Sequence, residues 1–216
     1  MAGHDTQSAL AAVPARGEDF VFISCGTWSL FGTELPGPLL GEAPAALALT
    51  NEQGVGGRVS FLKNIDGLWL IQESRRQWGR EGRRYSFSEL EERAAAAPPL
   101  SALIDPDAPE FVPAGDVPGR IRAFCRATGQ RPPEDEGAVV RCIDESLAIQ
   151  YRFTLKELSH CTGRSYHVIH LVGGGAQSAL LCQMTADACG LPVLAGPVEA
   201  TALGNLAVQL LASGSC

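Results

Sequence analysis

His170-Leu-Val-Gly-Gly-Gly-Ala-Gln-Ser-Ala-Leu-Leu-Cys-Gln-Met-Thr-Ala-Asp-Ala-Cys-Gly190, continued by Leu-Pro-Val-Leu-Ala-Gly-Pro-Val-Glu199, is the stretch around which this 216-residue chain is organised. Val168 to Val172 is a short apolar run with β-branched residues and reads as a strand. Gly173, Gly174 and Gly175 follow as three backbone positions without a Cβ, where a flat ligand can lie against the main chain. Gln177 to Ala188 has helical spacing, with Leu180, Leu181, Met184 and Ala188 on one face and Gly190 as C-cap. Pro192 to Ala195 reads as the next strand. A glycine turn between a strand and a helix N-terminus presents N–H groups and the positive end of the helix dipole, which suits an anion or a nucleotide. The same glycines would also serve a plain tight turn. They match neither the Walker loop, which needs Gly-Lys-Ser/Thr, nor the spacing of the dinucleotide fingerprint.

With 45% apolar residues, the chain has enough material for a sizeable core in one large domain or two small ones. It holds no uninterrupted apolar run of about 18 residues and does not begin with a charged-then-apolar leader, so a soluble, cytoplasmic protein without a membrane partner is expected. A net charge of -7 speaks against a nucleic-acid partner, which usually selects a basic excess or stripe. Arg75, Arg76, Arg80, Arg83 and Arg84 form the one basic cluster and read as a solvated helix end rather than a phosphate patch. The seven cysteines, at 25, 125, 142, 161, 182, 189 and 216, include no C-x-x-C pair. Free thiols, mostly buried, are therefore expected in place of a zinc ribbon or a thioredoxin motif. Cys125 and Cys142 could pair only if two neighbouring helices brought them together.

Taken in order, His4-Asp5-Thr6 reads as a loop entering a helix, with Asp5 or Thr6 as N-cap. Asp19 to Cys25 and Trp28 to Leu35 read as hairpin strands around a Gly26-Thr27 turn. Pro36 to Pro44 reads as loop, Thr50 to Gly57 as a glycine-rich connection, and Arg58 to Leu62 as the third strand of an antiparallel sheet. Asn64 to Trp78 has the spacing of an amphipathic helix in which Trp69 is core. Ser86 to Ala97 is a capped helix, and a turn-rich link then brings Phe111 and Val112 back to the body. Helices follow over 119–128, 136–161 and 199–211. Three strands and helices followed by a βαβα unit are the pattern of a ribonuclease-H-like α/β domain. This is the half-fold of the actin, hexokinase and Hsp70 class, a mixed sheet flanked by helices.

Gly3-His-Asp-Thr-Gln-Ser-Ala, Ile23-Ser-Cys-Gly-Thr-Trp-Ser-Leu, and the 170–178 turn with Ala195-Gly-Pro-Val-Glu-Ala-Thr-Ala-Leu-Gly-Asn together resemble the C-terminal domain of the FGGY family of carbohydrate kinases. Within that family, Thr50-Asn-Glu-Gln-Gly and Leu62-Lys-Asn-Ile-Asp-Gly-Leu-Trp-Leu-Ile-Gln72 are most similar to the members that phosphorylate L-rhamnulose at its 1-hydroxyl. The similarity covers residues 1–216 as one domain. It implies that Asp5 is the proton acceptor, with His4, Thr6 and Asn64 beside the sugar. It places Gly26 and Thr27 against the phosphates of ATP, and Gln72, Gly173, Gly174, Gly175 and Gln177 against the rest of the nucleotide. Read from the residues alone, Asp5 and Asn64 also suit helix caps, Gln72 a surface site, and Glu199 the first turn of a helix, where the dipole favours an acid.

ATP and Mg2+ are the implied cofactors, with the metal ligands mainly in the family's N-terminal domain. That domain, with its Asp-x-Gly phosphate loop and much of the sugar pocket, and the family's last helices are not among these 216 residues. The expectation is a fragment without sugar kinase activity of its own. Its partners would be ATP or ADP, L-rhamnulose and the missing N-terminal domain, and its uncovered apolar surface would favour self-association. A catalytically inactive nucleotide-binding or interaction remnant fits the same residues, as does a kinase for xylulose, ribulose or fuculose.

Overall fold

The computed structural model describes residues 4 to 214; Gly3 of the first motif and Cys216 lie outside them. Strand β1 (Phe20–Cys25) and strand β2 (Trp28–Leu35) form the expected antiparallel hairpin, with Phe22 opposite Gly32. Strand β4 (Val59–Asp66) pairs with the outer side of β2, and strand β3 (Thr50–Gln53) closes that edge. On the other side of β1 lie two parallel neighbours, β5 (Val168–Val172) and β6 (Val193–Ala195). The sheet therefore has six strands in the order β3-β4-β2-β1-β5-β6.

Because side chains alternate along a strand, β1 feeds two cores. Val21 and Ile23 enter the large one, while Phe20 and Phe22 enter a smaller one with Leu10 and Leu62. Helices cover the large face: α3 (Trp69–Arg80), α4 (Phe87–Ala96), α5 (Val117–Ala127), α6 (Glu136–Thr162) and α7 (Ala179–Cys189). Trp78, Ile121, Ile143 and Tyr151 are fully buried there against Phe31 and Phe61. On the second face, α1 (Asp5–Ala11) packs against α8 (Ala200–Ala212), with Ala9, Val172 and Ala200 forming a small cluster. A five-residue helix, α2 (Glu42–Ala46), completes the elements. Leu203, Leu206, Leu210 and Leu211 of α8 are exposed. Among the described residues no helix is long and apolar enough to cross a membrane.

Several boundaries differ from the sequence reading. Asn64 belongs to β4, opposite Leu30, because pairing with β2 carries the strand to Asp66; the helix starts only at Trp69. The front of the sheet has four strands, since the polar run Thr50–Gln53 suits an edge strand with one paired side. Residues 42–46 are helical because Pro44 lies in the first turn, where a missing N–H costs nothing. His4, and neither Asp5 nor Thr6, is the N-cap of α1, and its side chain makes no cap bond. Gln177 closes a 3-10 turn, while α7 is capped by Ser178, whose side chain accepts from the Leu181 N–H. Phe111 is buried but Val112 is exposed. Glu199 is the N-cap of α8 and lies outside its first turn.

The basic cluster is largely paired on the protein itself. Arg76 and Arg80 contact the buried Glu73, Arg83 reaches Glu81 and Glu136, and the Arg75 guanidinium stands 4.7 Å from the Phe87 ring centre. The six described cysteines are all free. Cys125 and Cys142 are neighbours across α5 and α6, and burial, followed by the charge Cys125 would carry, pushes the Cys142 thiol up to about 12.

Helices α1 and α8 approach so closely that a Cβ on Gly204 would stand 1.7 Å from the Ser8 carbonyl oxygen. Gly204→Ala must push the two helices apart, and a loss of about 1–3 kcal/mol is expected. Gly79→Ala on α3, where a Cβ meets nothing within 4 Å, should leave stability unchanged or slightly raised. Urea midpoints of the two variants check the contrast.

Candidate active site

Parallel strands β1 and β5 end side by side, with Ser24 opposite Val172, so the turns that follow them leave the sheet together. Ligands of open α/β sheets bind beyond such carboxyl ends. A cleft of about 860 Å³ lies there. It is lined by His4, Asp5 and Thr6 from the start of α1, by Gly26 and Thr27, by Asn64 of β4, and by Gly173, Gly174 and Gln177. Gln72 and Gly175 line a second cavity of about 350 Å³, which shares Gly174 and Gln177 with the first. All eleven sequence-predicted site residues thus fall on two cavities that meet at the glycine turn.

Asp5 begins α1 with 78% of its side chain exposed. Its Oδ1 accepts from the Thr6 N–H at 2.9 Å, which holds the carboxylate and satisfies an otherwise unpaired donor of the first turn. His4 bridges two acids, with Nε2 3.6 Å from Asp5 Oδ1 and Nδ1 3.4 Å from Glu52 Oε2. Thr6 is buried, so it meets the cleft with little surface. The Thr201 hydroxyl donates to the Asp5 carbonyl at 3.4 Å and ties α8 to this helix start.

Gly26 lines the cleft, and its N–H donates to the Trp28 carbonyl at 2.8 Å within the hairpin. The Thr27 hydroxyl is what that turn presents; its contact to Gln72 Oε1, at 3.4 Å, is long. Across the cleft, Gly173 has φ +84° and packs so near Cys25 that a Cβ would stand 2.8 Å from the Cys25 carbonyl oxygen. At Gly174 a Cβ would meet nothing within 4 Å, which leaves bare backbone open between the cavities. That cradle suits a flat group lying against the main chain.

A buried polar cluster supports both turns from below. Ser29 Oγ and Tyr151 Oη lie 2.7 Å apart, and the Ser29 hydroxyl donates to Cys25 Sγ at 3.6 Å. Burial drives the Tyr151 phenol well above its ordinary value and also raises the Cys25 thiol, so both are neutral here. At the second cavity, burial and then the nearby Glu91 and Glu145 push the Asp144 carboxyl up to about 8, against the opposing charge of Arg141.

The sequence reading did not single out Glu52, Val198, Thr201 or Asp144. Glu52 was hidden because Thr50–Gln53 reads as a connection. Asp144 did carry a signal, being an acid between Val140, Ile143 and Leu147 on a buried helix stripe. Among the described residues no group of three or more His, Cys, Asp or Glu side chains is placed to hold a metal ion.

The sequence profile of the FGGY family of carbohydrate kinases, C-terminal domain, matches residues 21–213. The chain is 46% identical over 214 residues to the rhamnulokinase of Bacteroides thetaiotaomicron and 41% identical over 216 residues to that of Enterococcus faecalis. Each alignment covers 99% of this chain and 43% of the relative. The fold is similar to xylulose kinase from Rhodospirillum rubrum, at TM-score 0.67 and 16% identity over 96% of this chain and 41% of that one. It is also similar to Plasmodium falciparum glycerol kinase, solved with ADP, at TM-score 0.61 and 15% identity over 93% and 40%. These likenesses show the expected mixed-sheet α/β fold.

Two stability measurements probe the site's support. Tyr151→Phe leaves Ser29 without its 2.7 Å partner and should cost about 1 kcal/mol in urea unfolding. For Asp144, a folded pKa above the unfolded value near 4 means that stability falls as pH rises from about 4 through about 8. Asp144→Asn should therefore gain on the parent chain in urea midpoint between pH 5 and pH 8.5; an equal difference at both pH values contradicts this assignment.

Proposed function

Because the chain belongs to the FGGY family of carbohydrate kinases, matching its C-terminal domain, we propose that it is the base-bearing, nucleotide-binding half of an ATP-dependent sugar kinase acting on the 1-hydroxyl of L-rhamnulose. The observation that carries this reading is the meeting of Asp5, Asn64, Thr27 and the 173–174 glycine turn on one cleft. The sugar comes from the likeness to the two rhamnulokinases, of which the chain spans 43% each.

Phosphoryl transfer needs a base for the attacking hydroxyl, alignment of the two substrates, and a polar cradle for phosphate charge. Asp5, exposed to the cleft and steadied by the Thr6 N–H, accepts the hydroxyl proton. His4 and Asn64 orient the sugar from either side, with a smaller part for the buried Thr6. Thr27 offers a hydroxyl to the phosphates. Gly173, Gly174, Gly175 and Gln177 let the nucleoside lie on bare backbone, and Gln72 borders the second cavity with it. Mg2+ would neutralise phosphate charge when bound; among the described residues no group of three or more His, Cys, Asp or Glu side chains gathers to hold it, and no step here runs through it.

The test joins this chain to the N-terminal domain of the B. thetaiotaomicron relative and follows ADP release with ATP and several ketoses. L-rhamnulose should be turned over at least tenfold faster than xylulose, ribulose or fuculose; equal rates would sink the sugar assignment. Asp5→Asn should lower kcat by about 10²- to 10⁴-fold while ADP binding persists, as expected for loss of a general base. The 216 residues alone should show ADP binding and no turnover above background, because closure of a second domain aligns the substrates and excludes water.

A further inference from the structure

The second cavity holds a group with no assigned task. Asp144 is 3% exposed and lines a space of about 350 Å³. No described residue makes a hydrogen bond or ion pair with its carboxyl group, whose oxygens are not sealed in the core and so meet whatever fills the cavity. Glu91, the other acid of the cavity, is already engaged: its Oε1 accepts from the Ser178 hydroxyl at 3.1 Å and from the Leu180 N–H at 2.8 Å. The walls are apolar, with Leu68 and Ile71 from the α3 side, Leu90 from α4 and Val140 from α6, a lining suited to a flat ring. The mouth opens at Gly174 and Gln177 onto the cleft proposed for the phosphates, so one nucleotide can occupy both spaces.

We propose that Asp144 reads the nucleobase, its carboxyl group pairing with the hydrogen-bonding edge of adenine. This rests on the nucleotide reading above and adds to it the residue that recognises the base. A neutral carboxyl group has one O–H donor and one carbonyl acceptor. Adenine offers the complement, an N6 amino donor beside a ring nitrogen acceptor, as it does to the amide of Asn. An ionised carboxylate has two acceptors, so one oxygen would face the adenine ring nitrogen and repel it. Guanine, with adjacent N1 and N2 donors, suits the ionised form. Burial keeps Asp144 protonated up to about pH 8, reinforced by Glu91 on α4 and Glu145 on α6 and opposed by Arg141 on α6; Cys25 of β1 and Tyr151 of α6 also face it and are neutral.

Calorimetric titration of the 216-residue chain with ADP and with GDP between pH 6.5 and 8.8 tests this. The ratio of ADP to GDP affinity should fall about tenfold as pH rises through 8, the size of one base pairing lost. Asp144→Asn, which keeps a donor and an acceptor at every pH, should hold ADP affinity near that of the parent chain with a flat ratio. Asp144→Leu should weaken ADP about tenfold, also without pH dependence. A parent ratio that does not move with pH, or Asp144→Leu binding ADP as well as the parent, overturns the role of Asp144 while the nucleotide reading stands. Absence of ADP binding at millimolar concentration to a folded parent chain overturns both.

Discussion

Parallel pairing of β1 with β5 is the constraint on which the molecule depends. Parallel neighbours point their carboxyl ends the same way, so pairing Phe20 with Val168 and Ser24 with Val172 brings two turns far apart in sequence to one edge. The Gly26-Thr27 turn and the glycine turn then face each other across a gap that α1 and α8 flank. Both strands are buried on their two faces, which explains their continuous apolar runs and leaves the turns as the places where backbone meets solvent.

Around that pair the helices divide the chemistry. The α1–α8 layer carries the acid exposed to the large cleft, and its close approach at Gly204 sets where the start of α1 can sit. Into the opposite layer α6 sends polar groups at two levels. Tyr151 reaches the underside of the hairpin turn through Ser29, a satisfied contact that fixes the turn. Asp144, on the same helix, has no such partner and stands at a cavity wall. A buried hydroxyl with a partner holds structure, whereas a buried acid without one weakens the fold as pH rises unless something binds it.

Much of the site was legible in the sequence because its residues sit in short glycine-bearing motifs whose types carry chemistry. His4, Asp5, Thr27, Gly173 and Gly174 could be named without coordinates, and all of them line the cleft. The readings that failed concern segments whose conformation depends on distant partners. Asn64 looks like the start of an amphipathic helix, yet the ladder to β2 holds it in a strand. Thr50–Gln53 looks like a connection, yet β4 recruits it as an edge, which is how Glu52 comes to face His4. Gly26 lines the cleft, while its N–H, which a local motif leaves open, closes the hairpin.

Local pattern sufficed for the βαβα unit, the hairpin, the caps at Ser86 and Gly190 and the family, because each rests on periodicity, glycine placement or short motifs. Contacts between remote segments set the division of the predicted residues between two joined cavities, the closing of the hairpin by the Gly26 N–H, and the burial of Asp144 at a cavity wall. The physical reason is that strand register, helix-to-helix distance and desolvation are properties of contacts between segments remote in the chain, and no local pattern encodes them.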